Sequence, residues 1–178
     1  MSKVESGQPQ ESEYAVEYGR YIGKIEGTDV VAVLEKQLDS TLQLFRGLDE
    51  RNADFRYEPG KWSVKEVIGH ILDAERVFAY RALVFSRNDR TALPGFDQDE
   101  WAEFAPYSRL PLSQIISEFE VVRGSTILLF RQCDTDAWTR AGVANEKQMT
   151  TRSAAFAIAG HLEHHLDVLK TRYFNKSE

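Results

Sequence analysis

Four stretches of this chain repeat apolar residues at intervals of three and four. That repeat, more than any other feature, limits what the chain can fold into. The first begins at Thr28-Asp29, which offers a helix N-cap, and runs through Val30, Val33, Leu34, Leu38, Leu42, Phe45 and Leu48. Pro59-Gly60 then signals a turn, and Ser63 followed three residues later by Glu66 makes a capping box. A second helix therefore starts at about Val64 and continues through Val67, Ile68, Ile71, Ala74, Val77 and Phe78 towards Phe85. The third runs from about Leu112 to Cys133 on Ile115, Ile116, Phe119, Val122, Ile127 and Phe130, with Gly124 weakening its middle. The last starts near Thr150 or Thr151 and passes Ala155, Ile158, Leu162, Leu166 and Leu169 to about Phe174. Residues 134–148 read as a loop, and no stretch reads as a convincing strand. The spacing predicts an all-α four-helix bundle.

Residues 1–13 are polar and carry Gly7 and Pro9, so they read as a flexible N-terminal tail ahead of a single domain over 14–178. Residues 87–111 hold Pro94-Gly95, Pro106 and Pro111 and read as a long crossover between the second and third helices, with a short helix near Trp101. A connection of that size is a place to look for pocket walls. Trp62, Phe96, Trp101 and Tyr107 are the candidates to line such a pocket, although aromatic residues in a crossover more often serve as plain core.

Composition narrows the function classes. The net charge of -6 disfavours a nucleic-acid partner, because binding a phosphate backbone needs many Lys and Arg contacts. No apolar run approaches the roughly 20 residues that cross a bilayer, and the N-terminal residues have no apolar stretch suited to a signal peptide. The lone Cys133 cannot close an internal disulfide and reads as a small core hydrophobe rather than a nucleophile. Together these point to a cytoplasmic protein that acts on a small molecule, with neither membrane nor nucleic acid as partner.

The chain owns four histidines and puts three of them in "GHLEHHLDVL", residues 160–169. His161 and His165 are four apart on a helix, so both can reach one ion. Spacing also admits His164, which lies three from His161; His165 is preferred as ligand, with His164 as neighbour. His70 sits on the inward stripe of the second helix, three after Val67 and four before Ala74. Each set has a plainer reading: a core histidine at position 70, and imidazolium favoured by a helix C-terminus at 161–165. Their joint placement on apolar stripes favours a metal. Three neutral imidazoles suit zinc or nickel, with iron or manganese also compatible, and leave a coordination position open. Asp73 is a candidate carboxylate to orient a ligating ring.

The stretches "FRYEPGKWSVKEVIGHILDAERVFAYRALVFSRND", "LPGFDQDEW" and "IAGHLEHHLDVLKTRY" resemble the DinB-like superfamily over about Tyr14 to Tyr173. The resemblance implies a four-helix bundle of up-down-down-up topology, commonly a homodimer, with a divalent metal on His70, His161 and His165. It further implies a metal-dependent hydrolase or an enzyme that transfers low-molecular-weight thiols such as bacillithiol or mycothiol to electrophiles. Nothing in the residues separates water from thiol, or a catalytic ion from a structural one.

Overall fold

The computed structural model describes residues 4–174, leaving residues 1–3 of the expected tail and 175–178 of the expected domain outside the described residues. Four long helices dominate: α1 (Val30–Arg46), α2 (Val64–Ser86), α3 (Leu112–Arg131) and α4 (Thr151–Val168), the last running on into a π-helical turn at Leu169–Phe174. Their starts follow from local chemistry. Asp29 Oδ1 accepts from the Ala32 amide at 3.1 Å, and Ser63 and Glu66 form the reciprocal capping box at the head of α2. Thr150 and Ser153 form a second such box at the head of α4. Helix α3 begins after Pro111 without a side-chain cap of its own, and Glu50 accepts from its first amide, that of Leu112, at 2.7 Å.

Cross-helix pairs fix the directions. Arg46 meets Glu120 and Arg131 meets Glu35, so α1 and α3 run antiparallel. Glu75 meets Arg123 and Arg87 meets Gln132, so α2 and α3 run parallel. The Tyr173 hydroxyl donates to the Trp62 carbonyl at one end, while Arg140, one bond from Thr151, donates to the Ser86 carbonyl at the other; α2 and α4 are therefore antiparallel. The bundle is up-down-down-up, as expected. Consecutive parallel helices α2 and α3 require the long crossover between them.

The interior is filled by large side chains with almost no exposure, among them Leu34, Phe45, Phe85, Ile115, Phe119 and Phe156. Each such side chain contributes roughly 1.5–3 kcal/mol by leaving water. Phe45 and Phe119 meet edge to face with ring centres 5.6 Å apart, joining α1 to α3. Across the same interior Arg123, fully buried, clasps Glu75 with Nε and Nη2 and gives Nη1 to Gln37 Oε1 at 3.0 Å. Gln37 in turn donates to the Ala159 carbonyl at 3.0 Å and to Glu163 at 2.8 Å, so one polar chain touches all four helices.

Two elements differ from expectation. Residues 134–148, expected as loop, hold a short helix at Thr135–Thr139 and open a β-hairpin, β1 (Ala141–Ala144) with antiparallel β2 (Lys147–Thr150). Asn145 and Glu146 turn it with φ of 52° and 62°, the left-handed pair a two-residue hairpin needs. Four-residue strands are too short to show an alternation, and Asn-Glu lacks the glycine that normally marks this turn. The hairpin exists because it packs: a Cβ on Gly142 would lie 2.1 Å from the Phe85 ring, and Leu93 of the crossover exchanges backbone bonds with Val143 and Asn145. Where composition predicts a flexible tail, residues 4–13 make specific contacts. Ser6 Oγ donates to the Thr28 carbonyl at 2.8 Å, and Glu13 pairs with Arg152. Among the described residues no helix is long and apolar enough to cross a membrane.

Candidate metal centre

Helices α2 and α4 lie side by side and antiparallel, so an inward residue a third of the way along α2 faces the C-terminal half of α4. This geometry brings together His70, His161 and His165. Their nearest ligand atoms all lie within 4.8 Å of one another, and His161 Nε2 stands 3.1 Å from His70 Nε2 and 3.1 Å from His165 Nε2. Glycines beside two of these histidines let Tyr107 and Tyr21 pack close to the helices that carry them. A Cβ on Gly69, beside His70, would sit 2.0 Å from the Tyr107 ring, and one on Gly160, beside His161, would sit 2.0 Å from the Tyr21 carbonyl oxygen. Side chains at either position would push these walls away from the histidines.

The three rings are poor hydrogen-bond partners for one another. A ring nitrogen offers one proton or one lone pair, so His161 Nε2 can make one full hydrogen bond and not two. A cation resolves this conflict. Two nitrogens each about 2.0–2.1 Å from one tetrahedral ion stand about 3.4 Å apart, close to the spacing found here. Electrostatics favour the same occupant. Burial, with repulsion from His164, lowers His70 to about 4. Burial and the neighbouring His70, His164 and Arg20 lower His165 to about 3, and burial with the other histidines holds His161 well below its ordinary 6.5. All three are neutral at pH 7, the state in which imidazole donates a lone pair to a metal.

The other expected site residues have separate surroundings. Trp62 tilts against His70 with ring centres 5.1 Å apart. Phe96 packs on Trp101 at 4.7 Å, and with His70, Asp73 and Tyr107 this pair encloses a void of about 10 Å³, the room of roughly one water. Asp73 turns to the Tyr107 hydroxyl, which donates to it at 3.0 Å, and to Arg76 at 3.6 Å, rather than to a ligating ring. Burial raises its carboxyl despite the Tyr107 bond and Arg76. His164 is half-buried and packs edge-on to Tyr21 at 5.4 Å, outside the cluster of three. Cys133 is buried at the end of α3 with its thiol pushed up to about 11 by burial.

A cleft of about 340 Å³ opens onto His70 and His161, walled by Tyr21, Phe78, Arg81 and Phe96, with Arg20 and Gln98 also lining it. Tyr21 packs edge-on to His161 at 5.2 Å. Sequence reasoning missed Tyr21 and Arg20, because they arrive from a short helix, Gly19–Ile22, outside the four long repeats. It also missed Arg81 and Arg123, and it noted Glu75 beside His70 only as a site carboxylate or a solvated acid, not as the buried partner of Arg123. For Glu75 a signal existed: a carboxylate three before Phe78 and four after Ile71 faces inward and must find a partner.

The DinB superfamily model matches residues 34–169, which span α1 to the end of α4 and all three histidines. The chain belongs to the DinB superfamily. A relative in Oceanobacillus iheyensis named "Putative metal-dependent hydrolase" is 22% identical over 166 residues, covering 88% of this chain and 95% of that protein. One of the same name from Geobacillus thermodenitrificans is 28% identical over 100 residues, 55% of this chain and 56% of its own. Among solved structures, YfiT from Bacillus subtilis, described as a probable metal-dependent hydrolase with an unusual four-helix bundle topology, superposes with a TM-score of 0.71. It is 19% identical and covers 91% of this chain and 89% of that one, a likeness of fold.

Proposed function

We propose that this DinB-superfamily protein is a metal-dependent hydrolase in which His70, His161 and His165 hold one divalent ion above an open cleft. The observation that carries the reading is the meeting of the buried His70 and His161 with the half-buried His165, their neutral ring nitrogens at spacings a shared cation satisfies and hydrogen bonds do not. The names borne by the relatives agree with it. When bound, such an ion supplies Lewis acidity and activates water near neutral pH.

The chain's own residues do the rest. Tyr21 packs on His161 and Trp62 on His70, which holds those rings, and Phe96 walls the cleft beside them. Of the carboxylates in the small pocket beside His70, burial raises Asp73, whereas Arg56 and Ser63 keep Glu66 low against the push of its own burial. Among the described residues no serine, cysteine or lysine lines the cleft, and Cys133 packs in the core cluster with Phe130 and Trp138, its thiol far above neutral pH. The attacking group comes from outside the chain, as water or as a low-molecular-weight thiol. Zinc and nickel suit the ligands best, iron or manganese less so. The working form is a cytoplasmic homodimer acting on a small molecule.

The test compares ester and amide hydrolysis with thiol transfer to an electrophile, each with zinc- or nickel-loaded and chelated protein. Metal-dependent turnover without added thiol supports hydrolysis. Turnover only with thiol present assigns the protein to thiol transfer, and none with either marks the ion as structural.

A further inference from the structure

Two arginines of the helical core are almost wholly buried, and they are treated differently. Arg123 has no exposure and is clasped by Glu75 and Gln37. Arg81 is 2% exposed and has no acidic partner among the described residues. Its Nη2 donates to the Pro94 carbonyl at 3.2 Å, its guanidinium lies 5.2 Å from the centre of the Phe78 ring, and its Nε is buried without a partner. A buried guanidinium always carries its charge, and a carbonyl and a ring compensate it only in part. Arg81 lines the same cleft as His70 and His161. The acids around that cleft are at its rim or engaged elsewhere: Glu17 with Lys147, Asp97 with the amides of Asp99 and Glu100, and Asp99 on the exposed surface.

We infer that Arg81 is the anchor for a carboxylate carried by the substrate, so that the cleft selects small monoanionic molecules and presents their reacting bond to the histidine cluster. The inference rests on the proposed metal-hydrolase reading for the second half of that statement only. Arg20, which also lines the cleft, is exposed and gives its Nη2 to the Tyr21 hydroxyl at 2.6 Å, so Arg81 is the buried cation there and balances one negative charge; a phosphate dianion would leave an excess beside Glu17, Asp97 and Asp99. The aromatic walls Tyr21, Phe78 and Phe96 suit an apolar body attached to the carboxylate, and a cleft of about 340 Å³ has the size of a small-molecule site.

The test uses phenylacetate, its neutral isostere phenylacetamide and inorganic phosphate as probes, with dissociation constants read by ligand-observed NMR on metal-free and on zinc-loaded protein. Phenylacetate should bind at least about 10-fold more tightly than phenylacetamide or phosphate in both forms. Arg81→Gln should erase that preference while the melting temperature holds or rises, since an unpaired buried charge has been removed. A preference seen only with zinc and unchanged in Arg81→Gln would place the carboxylate on the metal and overturn the inference, leaving the metal reading intact. Equal binding of acid and amide would overturn it as well. Loss of the fold in both Arg81→Gln and Arg81→Met would make Arg81 a structural cation and count against an anchoring role. Failure of the protein to take up zinc would defeat the hydrolase reading, while the metal-free comparison would still decide on Arg81.

Discussion

Burial does two opposite things at single residues here. It strips protons from the histidines and keeps one on the cysteine. His70 and His165 titrate at about 4 and about 3 in the folded chain against an ordinary 6.5. Above pH 6.5 both folded and unfolded chains hold neutral imidazole, so these groups leave stability independent of pH. Below 6.5 the unfolded chain binds protons first, and the folded state loses ground until pH has fallen through about 4 for His70 and about 3 for His165. Metal-free protein should therefore show a falling melting temperature between pH 6.5 and about 3, and a His70→Gln, His165→Gln pair should flatten that slope. A slope unchanged by the double substitution would contradict neutral burial of these rings. Cys133, pushed to about 11 by burial, should resist iodoacetamide at pH 8 in the folded chain and react once denaturant is added; rapid labelling without denaturant would contradict its place in the core.

At the scale of elements, close packing at two glycines sets the site, and a substitution tests it. Gly160→Ala should force the Tyr21 backbone away from α4 at a cost of about 1–3 kcal/mol and weaken metal binding, because His161 is the next residue. Unfolding by urea and metal titration on the same variant read both effects; unaltered stability would contradict the close approach. The four long helices were legible because burial on one face writes a period of three to four over many turns. His70 and the His161, His165 pair were legible for the same reason, since their stripes say which way they face. The hairpin at 141–150 was not, because four-residue strands held by Phe85 and Leu93 take their order from tertiary contacts rather than their own pattern. The pairing of Glu75 with Arg123 and the isolation of Arg81 were likewise hidden, for partners 48 residues apart leave no local trace. Asp73 pointed the right way along α2 but found Tyr107, which the crossover brings in from a distance no spacing rule covers.

Across the whole molecule, the Gln37, Glu75, Arg123 and Glu163 chain ties the four helices, and the histidines tie α2 to α4. Removing one partner from the buried pair strands the other's charge. Glu75→Gln should cost about 3–5 kcal/mol in denaturant unfolding, and a loss under 1 kcal/mol would show that water or another acid replaces the carboxylate. An ion bound to the folded chain alone adds about 2.7 kcal/mol at a hundredfold excess over its dissociation constant, so chelation should lower the melting temperature of the wild type and leave that of His161→Ala unchanged. The most direct measurement is elemental analysis of protein purified without a histidine tag, wild type beside His161→Ala. We expect about one equivalent of a divalent transition metal per wild-type chain and close to none in a variant of unchanged helical content. A wild type free of metal, or a variant that keeps it, would contradict a shared ion at these three histidines.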